Sequence, residues 1–208
     1  MSSMLVCLDF DGTLAELNPD PYAVRIHPGA ERAIRRLAAA PDTEVVILTG
    51  RHIAGIRQIL PADLPVTVVG SHGAEPGPTL SAADRAYLDN IEAQLAPLAA
   101  NGAYVEVKPF QRVLHVAQVR DPALAQAILA AANAIDTGGR PKTQGHNVVE
   151  FSAVSITKGS FLAEYKRAFD VTVFAGDDDT DEHGIAVLGP RDIGIKVGAK
   201  PSKATVRL

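Results

Sequence analysis

The stretch MLVCLDFDGT, Met4 to Thr13, decides how the rest of the chain reads. A continuous apolar run from Met4 to Leu8, closed by Asp9 and turned by Gly12, is the pattern of a strand buried on both faces, as in a parallel sheet covered by helices. Working outward, Ala30, Ile34, Leu37 and Ala38 fall at helical spacing behind Pro28, which predicts a helix from Pro28 to Ala40 that Pro41 ends. EVVILT (Glu44 to Thr49) reads as a second strand, His52 to Leu60 as a helix, and Val66 to Val69 as a third strand running into GSHG. This βαβαβ order implies an α/β fold, a doubly wound parallel sheet with right-handed crossovers and a ligand site beyond the carboxyl ends of its strands. DFDGT, TGR and GSHG all fall at those ends.

After Glu75 the stretch PGPTLS breaks the pattern. A helix (Ala82 to Ala100), two strands (Tyr104 to Lys108, Val113 to Val119), a helix (Pro122 to Ile135) and a short strand around Asn147 to Phe151 read as a small α+β insert, with antiparallel pairing across a turn near Phe110 and Gln111. From Lys158 the parallel pattern resumes: a helix to Phe169, a strand from Val171 to Ala175 leading into GDDDTDE, a short helix and a strand from Asp192 to Val197. The expected organisation is a core domain of residues 1–76 and 155–208 and a cap, or lid, of residues 77–154.

Composition narrows the function. At 208 residues, 47% hydrophobic and 21% charged, the chain has the profile of a packed globular protein. A net charge of −4 and a pI near 5.8 supply no basic field for nucleic acid or anionic lipid. Aromatic residues make up 5% of the chain and Trp is absent, so stacking platforms for single strands are scarce. Cys7 is the only cysteine, which rules out an intrachain disulfide and a Cys-based zinc site and fits a reducing compartment. The apolar run at the start is too short for a membrane span and lacks a basic region ahead of it. A cytoplasmic monomer acting on a small molecule, without nucleic acid or membrane, is the expectation.

Two acidic clusters carry the chemistry. Asp9 and Asp11 sit where a buried strand meets its loop, a place dry enough for reaction and open enough for substrate. Asp177, Asp178, Asp179, Asp181 and Glu182 follow another buried strand and so share the same sheet edge. So many acids repel one another unless a divalent cation lies among them, and hard oxygen ligands favour Mg²⁺. Thr49 at the end of the second strand and Lys158 at the head of a helix are a hydroxyl and a cation suited to a phosphate dianion.

DFDGT, a strand ending in Thr49, Lys158 and GDD, in this order, resemble the four motifs of the haloacid dehalogenase superfamily of phosphatases across nearly the whole chain. Within it, DGTLAELNPDP, LTGR, GSHGAE, ITKG and GDDDTDE look like the trehalose-6-phosphate phosphatase group, whose lid is inserted after the third strand. The resemblance implies that Asp9 is the nucleophile that attacks phosphorus, and that Asp11 protonates the leaving sugar oxygen and then activates water. A neighbouring carboxylate is expected to keep Asp11 protonated when substrate binds. Mg²⁺ is implied on Asp9, the Asp11 backbone carbonyl and Asp177, with Asp178 helping through water or directly. Thr49 and Lys158 are implied to hold the transferring phosphoryl oxygens. Arg51, Ser71, His72 and Gly73 fall beside the active-site entrance as substrate-binding residues, and the lid offers Glu106, Lys108, His115 and Glu150 to the sugar.

The lid is where the chain departs from the group. HVA (His115 to Ala117) stands where the group has His-Tyr-Arg, and EFSA (Glu150 to Ala153) where it has Glu-x-Arg-Pro. Two expected arginines are missing, which makes another sugar or polyol phosphate, such as mannosylglycerate, sucrose or glucosylglycerol phosphate, the alternative to trehalose 6-phosphate. The ending at VRL also falls short of the group's usual final helix. A phospho-accepting module or an inactive sugar-binding relative is the alternative of a different class. A second Asp two residues after the nucleophile and the large insert argue against a receiver, and the presence of every turnover motif argues against inactivity.

Overall fold

The structure is a computed structural model describing residues 3–18, 20–145 and 147–208. Met1 and Ser2 of the N-terminal stretch and Pro19 of the DGTLAELNPDP motif lie outside the described residues. The chain divides into two compact units, one running to Gly77 and resuming over Ile156–Leu208, the other comprising Pro78–Ser155.

The first unit opens with β1 (Met4–Leu8), α1 (Pro28–Ala38), β2 (Thr43–Leu48), α2 (Ile53–Ile56) and β3 (Thr67–Val69). The second holds α3 (Ala82–Leu95), β4 (Tyr104–Val107), β5 (Gln111–His115), α4 (Pro122–Asn133), β6 (Lys142–Gln144) and β7 (Val148–Ser152). The first unit then resumes with α5 (Lys158–Tyr165), β8 (Val171–Gly176), α6 (Asp181–Ile185), β9 (Ile193–Lys196) and β10 (Val206–Arg207).

Six parallel strands form the first unit's sheet in the order β10-β9-β8-β1-β2-β3. Alternation along β1 and β2 feeds two separate cores. Val6, Val45 and Ile47 pack with Ile34 of α1 and Ile56 of α2, while Leu5, Cys7, Val46 and Leu48 pack with Leu162 of α5, Phe174 and Ile185 of α6. Helices therefore cover both faces, the doubly wound arrangement that continuous apolar runs require. Each fully buried Leu, Ile or Phe contributes about 1.5–3 kcal/mol. Because the chain leaves β1 towards β2 and β3 on one side and returns through β8 and β9 on the other, the carboxyl end of β1 is the topological switch point. Leu8 lies opposite Ile47 and Ala175, so Asp9, Thr49 and the loop after Gly176 emerge at one edge.

In the second unit the antiparallel order is β4-β5-β7-β6. Leu114, Val149 and Phe151 face Ile91 and Leu95 of α3 and Ile128 and Leu129 of α4. Tyr104, Glu106, Val113, His115 and Glu150 share the opposite face by register.

Several boundaries depart from the sequence pattern for local reasons. α2 stops at Ile56, after which Gln58 donates to the Gly55 carbonyl and Ile59 to that of Ile56. The helix expected to Ala100 ends as α at Leu95 and finishes in a 3-10 turn over Ala96–Leu98, where Pro97 has no N–H to continue the ladder. β5 starts at Gln111 because the hairpin turn is Pro109–Phe110, with Lys108 N donating to the Gln111 carbonyl. β6 had no hydrophobic signal, since Lys142, Thr143 and Gln144 are all exposed. No helix among the described residues is long and apolar enough to cross a membrane.

Candidate active site

Asp9 continues β1 by one residue, its amide donating to the Ala175 carbonyl at 2.9 Å. The side chain is buried against Lys158, whose Nζ donates to Asp9 Oδ1 at 2.6 Å and to Asp181 Oδ1 at 2.7 Å. Lys158 is the first residue of α5, set there by a capping box between Thr157 and Ser160. Gly159 next to it lets α5 approach α6, since a Cβ at that position would lie 2.4 Å from the His183 carbonyl oxygen. Asp181 Oδ2 in turn accepts from the amides of Asp177 and Asp178, at 3.0 and 3.1 Å. Gly12, at φ 81°, keeps the loop after β1 clear of Asp177, whose carboxylate a Cβ there would strike.

Asp9, Asp177 and Asp181 bring carboxylate oxygens within 4.8 Å of one another. Burial raises the Asp9 carboxyl to about 6 against the opposing pull of Lys158. Burial likewise raises Asp181 to about 7, with repulsion from Asp9 added, and Asp177 to about 6, with repulsion from Asp178 and Asp181. Lys158 moves up from its ordinary value: burial opposes its charge, but Asp9 and Asp181 outweigh burial. Two buried ammoniums, Lys158 and Lys196, stand against four carboxylates, Asp9, Asp177, Asp178 and Asp181, which leaves negative charge unmatched, and a hard divalent cation with oxygen ligands, Mg²⁺ above all, fits that donor set. Asp178 is not in the trio. Its Oδ1 accepts from Thr180 N and Oγ1 and from Asp181 N, and although burial works against it, Lys158 and these hydrogen bonds hold its carboxyl below the usual range.

Asp11 meets a different neighbour from the one the sequence suggested. A guanidinium, not a carboxylate, lies against it: Arg51 Nε donates to Oδ2 at 2.6 Å and Nη2 to Oδ1 at 2.7 Å. Arg51 Nη1 also donates to the Pro21 carbonyl at 2.6 Å, so the residue ties together the loops after β1 and β2. Thr49 is buried at the end of β2, and its Oγ1 accepts from Arg51 N. His72 N donates to the Thr49 carbonyl and Ser71 N to that of Arg51. Ser71 is fully buried, with its hydroxyl donated to Glu75, while Gly73 adopts φ 106°.

The cap candidates form their own cluster within the second unit. Glu106 Oε2 lies 2.9 Å from His115 Nε2, and Lys108 Nζ lies 3.9 Å from Glu106 and 3.4 Å from Glu150. Tyr104 stacks on the His115 ring at 4.6 Å, a partner absent from the sequence reading. Asp181 and Glu75 were also passed over there as site residues, the first counted only as one acid in a run, the second named only as the end of GSHGAE and of the run before PGPTLS. Asp181 stands four residues after Asp177 at a helix start, the one available signal for its inward turn.

A family model described as trehalose-phosphatase matches residues 7–208. An uncharacterised glycosyl hydrolase of Mycobacterium tuberculosis is 32% identical over 98% of the chain and 17% of its own length. A trehalose-phosphate phosphatase of the same organism is 30% identical over 92% of the chain and 53% of its own length. The chain thus spans about half, or less, of these curated relatives. The solved C-terminal domain of Candida albicans trehalose-6-phosphate phosphatase superposes with a TM-score of 0.80 at 19% identity, covering 100% of the chain and 88% of that domain. At that identity the likeness is one of fold.

Proposed function

The chain belongs to the trehalose-phosphatase family, and we propose that it is a Mg²⁺-dependent phosphatase hydrolysing trehalose 6-phosphate to trehalose and phosphate through an aspartyl-phosphate on Asp9. The observation that carries this reading is the buried Asp9 held by Lys158 beside Asp177 and Asp181 at the switch point of the sheet. Asp181 spends one oxygen on Lys158 and the other on two amides, so we assign the cation to Asp9 and Asp177, with the Asp11 backbone carbonyl and Asp178 completing its protein ligands. When bound, the cation offsets the charge of these carboxylates and of the phosphoryl group.

An Asp9 oxygen attacks phosphorus as the bond to the sugar oxygen breaks, and Asp11 gives that oxygen its proton. A water then attacks the acyl phosphate, losing its proton to Asp11, and Asp9 is restored. Lys158 points the Asp9 oxygen and, with Thr49, holds the equatorial phosphoryl oxygens as charge spreads over them. For Asp11 to take up from water the proton it gives and to face the leaving oxygen, Arg51 must yield at least one of its two hydrogen bonds, and an incoming dianion competes for that guanidinium. The acid and base groups of Glu106, Lys108, His115 and Glu150 are suited to sugar hydroxyls.

A second reading, another sugar or polyol phosphate, is favoured by Ala117 and Ser152, which stand where the group carries arginines; Ser152 instead donates its hydroxyl to the Val154 carbonyl. Phosphate release from a panel of sugar phosphates with Mg²⁺ and an EDTA control separates the two. Preference for trehalose 6-phosphate supports the first, preference for another member the second, and no metal-dependent release from any of them defeats both.

A further inference from the structure

We propose that Glu75 is a positioning residue for the phosphate site: its carboxylate holds Ser71 in a left-handed backbone conformation from which the turn after β3 fixes the Thr49–Arg51 segment. This rests on the phosphatase reading above and extends it to a residue outside the reacting groups.

Ser71 and His72 have φ of 49° and 57°, a region that residues with a Cβ seldom occupy and keep only when their surroundings impose it. The imposition on Ser71 is visible. Its side chain is fully buried, and Oγ donates to Glu75 Oε1 at 2.5 Å. Glu75 is itself anchored, exchanging backbone hydrogen bonds with Gly70 at 3.0 and 3.1 Å, and its Oε2 accepts from Ile53 N at 3.3 Å. One carboxylate therefore spans the loop after β3 and the start of α2.

In this conformation Ser71 N donates to the Arg51 carbonyl at 2.8 Å and His72 N to the Thr49 carbonyl at 2.9 Å. The segment so gripped carries Thr49, placed for phosphoryl oxygens, and Arg51, which holds Asp11 at both oxygens. A line of contacts runs from Glu75 through Ser71 and Arg51 to Asp11. The line ends on the Asp11 side chain; of the groups assigned to the cation, Asp177 and Asp178 lie on the loop after β8, while Asp9 and the Asp11 backbone carbonyl share the loop after β1.

The test is steady-state kinetics of Glu75→Ala, Glu75→Gln and the double variant Glu75→Ala with Ser71→Gly, with the Mg²⁺ concentration for half-maximal activity measured in each. Loss of the grip should lower kcat by about 10- to 100-fold, the cost of misplacing a catalytic group by about an ångström. The Mg²⁺ requirement should change far less than kcat, because the line reaches Asp11 through its side chain and not its backbone carbonyl, and Glu75→Gln, which keeps an acceptor, should fall between Glu75→Ala and the natural chain. Glycine reaches positive φ without strain, so Ser71→Gly removes the need for Glu75 and should return most of the lost kcat. A double variant as slow as Glu75→Ala, a single variant with full kcat, or a joint loss of kcat, Mg²⁺ affinity and melting temperature overturns the proposal. If Glu75→Ala does not fold, the same comparison is made from Glu75→Gln. Absence of phosphatase activity in the natural chain defeats the underlying reading and this assignment with it.

Discussion

Arg51 grips Asp11 at both carboxylate oxygens, at 2.6 and 2.7 Å, across 40 residues of chain. The fork geometry matters more than the charge. A lysine keeps the cation but offers no planar pair of N–H groups, and it cannot reach Asp11 and the Pro21 carbonyl together. Arg51→Lys is therefore expected to lower kcat about tenfold or more through misplacement of Asp11. Initial rates over a range of substrate concentrations check this; a change confined to KM would show that Arg51 serves binding alone.

Replacing Asp9 by Asn preserves shape and removes the nucleophile. Turnover should fall by roughly 10³-fold or more. The fold should survive, because Lys158 retains Asp181 at 2.7 Å and one of three crowded carboxylates becomes neutral. Phosphate release together with circular dichroism decides it: appreciable turnover by a folded Asp9→Asn variant would eliminate the aspartyl-phosphate.

Much of this site could be read before any coordinates. β1, β2 and β8 are apolar runs closed by polar residues, and a strand buried on both faces has few other ways to look. The sheet edge followed, and with it the company of Asp9, Thr49 and Asp177. β6 stayed hidden because three exposed polar residues carry no burial pattern. The Arg51–Asp11 pair was hidden for another reason: partners 40 residues apart leave no local periodicity, so Arg51 could be named but its contact could not. Among the acids of GDDDTDE, which carboxylate turns inward depends on a turn. Asp178 caps it, so Asp181 at the start of α6 receives Lys158.

Lys158→Met tests how much the site depends on the buried ammonium that Asp9 and Asp181 share. Asp9 and Asp181 would both lose their partner while remaining buried, and removing one member of a buried ion pair costs about 3–5 kcal/mol. Chemical denaturation without metal should show a loss of that size, and added Mg²⁺ should recover part of it. A variant as stable as the natural chain would mean that these carboxylates take up protons readily.

The raised carboxyls also set the sign of a pH dependence. Asp177 titrates near 6 in the folded chain against an ordinary 3.8, so between those values the native state holds a proton that the unfolded state has lost. Stability from this group is then present below about pH 4 and lost as pH rises through 6. Carboxyls held low, such as Asp84 at about 2, make their gain at lower pH, so the interval from about 4 to 7 belongs to Asp177 together with Asp9 and Asp181, which burial raises in the same direction. Melting temperatures of the metal-free protein should fall across that interval. Mg²⁺ at 100 times its Kd should restore about 2.7 kcal/mol at pH 7.5 and little at pH 5, where protons compete for its ligands.

The face of the cap sheet that carries Glu106, His115 and Glu150 should govern choice of sugar. His115 is held from two sides, stacked on Tyr104 at 4.6 Å and 2.9 Å from Glu106, and Lys108 reaches Glu150 at 3.4 Å. A rigid array of acceptors and donors rejects any ligand that leaves one of them unpaired. Glu106→Gln and Glu150→Gln should each reduce the ratio of kcat/KM for the preferred sugar phosphate to that for p-nitrophenyl phosphate by about 10- to 100-fold, the loss of a charge-assisted hydrogen bond. Equal losses on both substrates would mean that these carboxylates support the sheet and do not touch the sugar, because a contact made by one substrate alone cannot lower turnover of the other.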